Sequence, residues 1–217
     1  MKKTLAAVLG SCAVCLLSAC NGIFGNIYDT AEPSDETSAY GFVKPCTDSE
    51  AGRIYIDTQD YTQWVYLDFE AQTTAVAAVA DEAPEAWDIA LHRYDVKTHD
   101  GRAAETAYSD LSKWVAAGRP APAEEYADIW SDERIMTDLS HMMDSIIVYT
   151  PSYYNPCLSR WLDVDLRTMP PIYTPSNRVY TVRFDDGRSM ALRFLNYMDD
   201  RGAKGYITID YLYPGSF

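Results

Sequence analysis

The sequence predicts an all-β, mainly antiparallel fold with little helix, on three observations. Short segments rich in Val, Ile, Tyr and Phe recur along most of the chain, either alternating with polar residues or running unbroken. The C-terminal part reads as consecutive hairpins that form a three-stranded meander. Only one stretch carries the spacing of an amphipathic helix.

The first strand signals are "RIYIDT" (Arg53–Thr58) and "QWVYLDFE" (Gln63–Glu70), and "WDIALHRYDVKT" (Trp87–Thr98) continues the habit. Glu105–Ala117 is the helical stretch: Ala107, Leu111, Trp114 and Val115 share one face, and Gly118 and Pro120 stop it. The meander follows, with "VYTVRF" (Val179–Phe184), the turn Asp185-Asp186-Gly187, "SMALRFLNY" (Ser189–Tyr197) and "YITIDYLY" (Tyr206–Tyr213). No internal repeat or low-complexity block interrupts this order.

The N-terminal end has a different character. Lys2 and Lys3 precede an apolar run from Leu5 to Leu17, too short to span a bilayer and suited to a secretory signal. "LLSAC" then has the form of a bacterial lipoprotein processing site, with lipidation expected at Cys20 and residues 1–19 removed. Residues 20–52, rich in Gly, Ser, Thr, Asp, Glu and Pro, read as a lipidated anchor and tether. A flexible coil of roughly 30 residues reaches on the order of 30 Å, enough to hold a domain off a membrane. Residues 53–217 form the expected folded domain.

Charge and cysteine content narrow the functional classes. Without Lys2 and Lys3 the mature chain holds 16 basic against 32 acidic residues, a net of −16, which repels nucleic acid. Setting aside Cys12, Cys15 and Cys20 leaves Cys46 and Cys157, which either pair in an oxidising compartment or stay free. Two cysteines without CxxC spacing make no metal framework. GxSxG, HExxH, P-loop and GxGxxG patterns are all absent, so no enzyme class is indicated.

Two methionine sites stand out. Met142 and Met143 lie in the polar, turn-like "DLSHMMDS" (Asp138–Ser145), where neither strand nor helix periodicity accounts for them. Met169 lies in "RTMPPIY" (Arg167–Tyr173), where Pro170 and Pro171 fix their own φ and bias Met169 towards extended backbone. A thioether presented on a restrained backbone suits a ligand better than a gap-filler. Thioether sulfur is a soft donor, fit for copper(I) or haem iron. The competing reading of methionines among Tyr149, Tyr153, Tyr154 and Trp161 is hydrophobic core. Of the histidines, His92 sits in a strand pattern and reads as structural, His99 reads as a turn residue, and His141 adjoins the methionine pair.

Several long motifs occur here in one order: "YTQWVYLDFE", "WDIALHRYDVKT", "SRWLDVD", "MPPIYTPSNRVYTVR", "DDGRSMALRFLNY" and "KGYITIDYLYP". In these the chain resembles the HmuY-like family, haem-binding lipoproteins (haemophores) of host-associated Gram-negative bacteria. The resemblance implies an all-β fold that grips haem between projecting strands and loops, with no turnover of its own. It implies an outer-membrane, lipid-anchored and cell-surface carrier that takes haem from host haemoproteins or other haemophores. The cargo would pass to a TonB-dependent outer-membrane receptor.

The best-known family member ligates iron with two histidines, and the second of these falls at Leu166 here, so that ligand is missing. Other members carry methionines in the "MPP" and "SxMM" segments. Carried over, Met169 is the second axial ligand and Met142 or Met143 the first, with His141 as an alternative. Tyr149, Tyr153, Tyr154, Tyr173 and Arg167 are candidates for the haem pocket, and Arg134 and Arg160 are further candidates to pair with the propionates. A structural or adhesive lipoprotein that kept the fold and lost haem is the competing function.

Overall fold

The computed structural model describes residues 40–47 and 50–215. The expected signal peptide and the expected lipidation at Cys20 lie outside the described residues. Seven antiparallel strands form the larger sheet, in the spatial order Gly41–Lys44, Gly52–Asp57, Lys204–Leu212, Ser189–Met198, Val179–Phe184, Gly101–Glu105, Tyr126–Ala127. A four-stranded antiparallel sheet is ordered Thr73–Ala78, Gln63–Asp68, Ile89–His92, Asp95–Thr98.

Period-two patterning decides which face of each strand is inside. Ile54, Ile56, Tyr180, Val182, Leu192, Phe194, Ile207 and Ile209 of the larger sheet share one buried cluster with Val65, Leu67, Ile89 and Leu91 of the smaller one. The two sheets therefore face each other across a common core. Trp161 lies in that core, stacked on Phe194 at 4.7 Å, with its indole N–H donated to the Tyr94 carbonyl at 2.9 Å.

The outer faces are covered separately. Leu111 and Trp114 of the helix pack on Val179 and Ala191 of the larger sheet. Trp64, Tyr66 and Ala90 of the smaller sheet are covered by Ile135, with Tyr154 and Trp87 packed alongside.

The meander appears where expected, as Val179–Phe184, Ser189–Met198 and Lys204–Leu212. Two expectations need correction, the bounds of the helix and the end of the tether. The helix is shorter than predicted, Leu111–Ala116 rather than Glu105–Ala117. Glu105 instead pairs with Tyr180 in the sheet, Thr106 donates its N–H to the Val179 carbonyl at 2.9 Å, and the Asp110 carboxylate caps the helix by accepting from the Lys113 N–H. Strand pairing thus claims Glu105, and residues 106–110 form the connection into the shorter helix.

The stretch Trp87–Thr98 holds two strands, Ile89–His92 and Asp95–Thr98, because Arg93 takes a left-handed conformation (φ 52°) and turns His92 back against Asp95. The expected tether also ends earlier. Gly41–Lys44 is an edge strand, held by Phe42, whose ring sits edge-on to Phe69 at 5.3 Å and to Tyr211 at 5.7 Å. Gly52 in the neighbouring strand has room for no side chain, since a Cβ would lie 2.4 Å from the Tyr211 ring and 2.7 Å from the Cys46 backbone nitrogen. Cys46 and Cys157 are both free thiols, and Cys157 is fully buried.

Candidate functional site

Two β-ribbons outside the two main sheets carry both methionine sites. The first pairs Ile129–Ser131 with Ser152–Tyr154 at its root, then Met136–Asp138 with Val148–Tyr149 further out. The second pairs Leu162–Asp165 with Ile172–Pro175.

The roots are fixed by buried contacts. Ile135 is fully buried and its carbonyl accepts from the Thr150 N–H at 2.9 Å. Arg134 reaches back to the buried Asp95 carboxylate at 2.7 Å and lies over the Tyr154 ring at 5.1 Å. Just past the first ribbon, Asn155 is fully buried: its carbonyl oxygen accepts from the Cys157 and Leu158 N–H groups, each at 3.0 Å, and its amide donates to the Tyr126 carbonyl and to Asp128. In the second ribbon Tyr173 stacks on Tyr197 at 5.3 Å and carries the Lys204 ammonium over its ring at 4.7 Å.

The tips are built quite differently. Asp138 accepts from the Ser140 N–H at 2.7 Å, and the His141 carbonyl accepts from Asp144 and Ile146, winding Met142–Asp144 into one short 3-10 turn that ends at left-handed Ser145 (φ 61°). Met142 is 53% exposed and Met143 is 92% exposed. His141 is exposed beside Asp144, with 3.5 Å between its Nδ1 and the carboxylate. On the second tip Asp165 binds Arg167 through its backbone N–H and as a two-point fork at 2.8 Å, and the Thr168 hydroxyl donates to the Pro170 carbonyl. Met169 there is 89% exposed, and its peptide bond to Pro170 is cis.

The predicted site residues sort into three groups. Met142, Met143, His141, Met169 and Tyr149 are on the outer parts of the ribbons and accessible. Tyr154 and Tyr173 are at the roots, packed against the small and main cores respectively, while exposed Tyr153 is a root residue facing Trp130 edge-on at 5.0 Å. Arg167 is already engaged: its guanidinium, foremost by hydrogen bonding, pulls the Asp165 carboxyl down to about 2.

Sequence reasoning missed the exposed apolar residues around the methionines. Apart from Tyr40 and Val76, every exposed large apolar side chain among the described residues lies on these ribbons, including Ile146, Ile147, Val148 and Leu166. The run "SIIVY" (Ser145–Tyr149) held the signal, because its consecutive apolar residues have no alternation that would turn them all to one buried face. Neither the cavity of about 660 Å³ at the root of the first ribbon nor one of about 540 Å³ beside the helix is lined by a tip residue.

A family model described as HmuY protein matches residues 60–211. The chain belongs to the HmuY family. Among solved structures it is similar to a Bacteroides vulgatus protein that carries the name HmuY-like heme-binding protein, at 44% identity and a TM-score of 0.78, over 82% of this chain and 100% of that one. A Bacteroides fragilis protein named as a lipoprotein is 41% identical, with a TM-score of 0.79, over 84% of this chain and all of the other. The apo HmuY analog of Tannerella forsythia shares the HmuY fold at 22% identity and a TM-score of 0.64, over 76% of this chain and 96% of that chain. No curated protein matches the chain.

Proposed function

We propose that this HmuY-family protein is a haem carrier, anchored to the outer membrane through lipidated Cys20, that binds haem iron between the methionines of its two ribbons. One observation carries the reading: apart from Tyr40, Val76 and the root residues Ile129, Trp130 and Tyr153, every exposed large apolar side chain among the described residues is on the two ribbon tips, thioethers included. A large apolar patch on a soluble domain marks a binding surface. Haem is flat and apolar with a metal at its centre, and it would cover such side chains while offering the iron to a soft sulfur on each face.

Met169 supplies one axial ligand and Met142 or Met143 the other. His141, beside the methionine pair, is the alternative donor on that tip. The softer donor pair favours ferrous over ferric iron, so binding tightens under reduction. Filling both axial positions leaves no open coordination site for a substrate, which fits a carrier rather than an enzyme. Haem held at exposed tips is accessible to a TonB-dependent receptor, and the same exposure suits capture from host haemoproteins or other haemophores.

Absorbance titration of the mature protein with haem under dithionite tests the reading. A saturable low-spin ferrous spectrum is expected. No change in the haem absorption, in air or under reduction, would favour a structural or adhesive lipoprotein of this fold instead.

A further inference from the structure

The cavity at the root of the first ribbon is lined by none of the methionines or other tip residues, and aromatic and charged side chains share its wall. Its volume, about 660 Å³, falls within the range of small-molecule pockets. Trp87, His99, Trp130 and Tyr153 put four aromatic rings on its wall. Trp87 and His99 are stacked in parallel at 4.7 Å, and Trp130 and Tyr153 are each more than half exposed. Such rings offer flat apolar surface to a ligand at little entropic cost.

The charged lining limits what that ligand can be. Asp81, Asp100, Asp128 and Asp185 border the cavity, together with Lys97 and Arg102. Asp128 is committed to the fold, accepting from Thr98 and Asn155, whereas Arg102 makes no ion pair among the described residues. The Lys97 ammonium is held over the Trp64, Tyr66 and Trp87 rings at 4.4, 4.9 and 5.4 Å and donates to the Tyr66 hydroxyl. An anionic ligand would meet a wall on which four carboxylates outnumber two cations, and a cationic one, though favoured by that balance, would still lie against Lys97 and Arg102 and bear their repulsion. A neutral ligand with many hydroxyls meets neither penalty, since carboxylates accept from its O–H groups and guanidinium donates to its oxygens.

We propose that this cavity is a saccharide-binding site, in which aromatic rings take the apolar face of a neutral sugar and Asp100, Asp185 and Arg102 bond its hydroxyls. The site is independent of the methionine tips, so it stands or falls separately from haem carriage. It would let the protein hold to a glycan while the tips handle haem.

The test is an NMR titration of the mature protein, reading the indole N–H signals of Trp87 and Trp130. The probes are lactose, cellobiose and N-acetylglucosamine, with choline and benzoate as charged comparisons. The expected result is a saturable shift of both signals with at least one sugar; in Trp130→Ala the shift of the remaining Trp87 signal is lost, and in Asp100→Asn binding is weakened several-fold. Trp130 is exposed, so its removal leaves the core intact, and the haem spectrum of that variant should match wild type. No sugar in the set moving these signals, or saturation by choline or benzoate alone, would overturn the proposal.

Discussion

Lowering the pH should destabilise the protein through His92. This ring is 1% exposed, and its Nε2 lies 2.8 Å from the Tyr61 carbonyl, an acceptor, so Nε2 carries the proton. Nδ1 is buried with no partner. Protonating it would create a buried charge whose N–H has no acceptor, and burial accordingly pushes the His92 pKa down to about 4. The sign follows from the folded value lying below the unfolded one, near 6.5: this contribution is complete above the unfolded pKa and is lost as pH falls towards 4. From these two values the loss is about 2 kcal/mol by pH 5 and about 3 kcal/mol by pH 4. Urea unfolding of wild type and His92→Gln across this range measures it, since the glutamine amide can still donate to Tyr61 but does not titrate. Wild type should lose that much more stability than the variant. Parallel loss in the two proteins, or a His92 pKa near 6.5 by NMR, would refute the reasoning.

Asp95 should act in the opposite direction. Burial raises its carboxyl to about 6 against the pull of Arg134, so its contribution is complete at low pH and is lost as pH rises through 6; wild type should lose about 2 kcal/mol between pH 4 and 7 relative to Asp95→Asn, by urea unfolding. Trp161→Ala removes a fully buried ring stacked on Phe194 and should cost about 3–5 kcal/mol, read as a drop in the unfolding midpoint. Thiol labelling followed by peptide mapping should modify Cys46 in the native protein and Cys157 only on unfolding, because Cys157 is fully buried and burial raises its pKa.

The strands were legible because alternation is a local signal. Residues 54, 56, 65, 67, 180, 182, 192 and 194 all face the core that their spacing implies. Features that depend on distant partners were not. Glu105 has good helix propensity, but Tyr180, far along the chain, pairs with it and extends the strand. Phe42 sits in a polar stretch, and only Phe69 and Tyr211 make it part of the domain. At the site, the two methionine segments were readable as anomalies because their thioethers had no periodic explanation. The tyrosines were not separable, since nothing local distinguishes Tyr173, stacked on Tyr197, from Tyr149 out along its ribbon. Arg167 looked available for a propionate only because its fork with Asp165 is a matter of loop geometry.

Methionine ligation is tested most directly by titrating haem into wild type, Met169→Ala and the Met142→Ala/Met143→Ala double variant, in air and then under dithionite. All three methionines are exposed, so these changes leave the core untouched. The account predicts a sharp low-spin ferrous spectrum in wild type that is lost in both variants. An unchanged ferrous spectrum in Met169→Ala would contradict it.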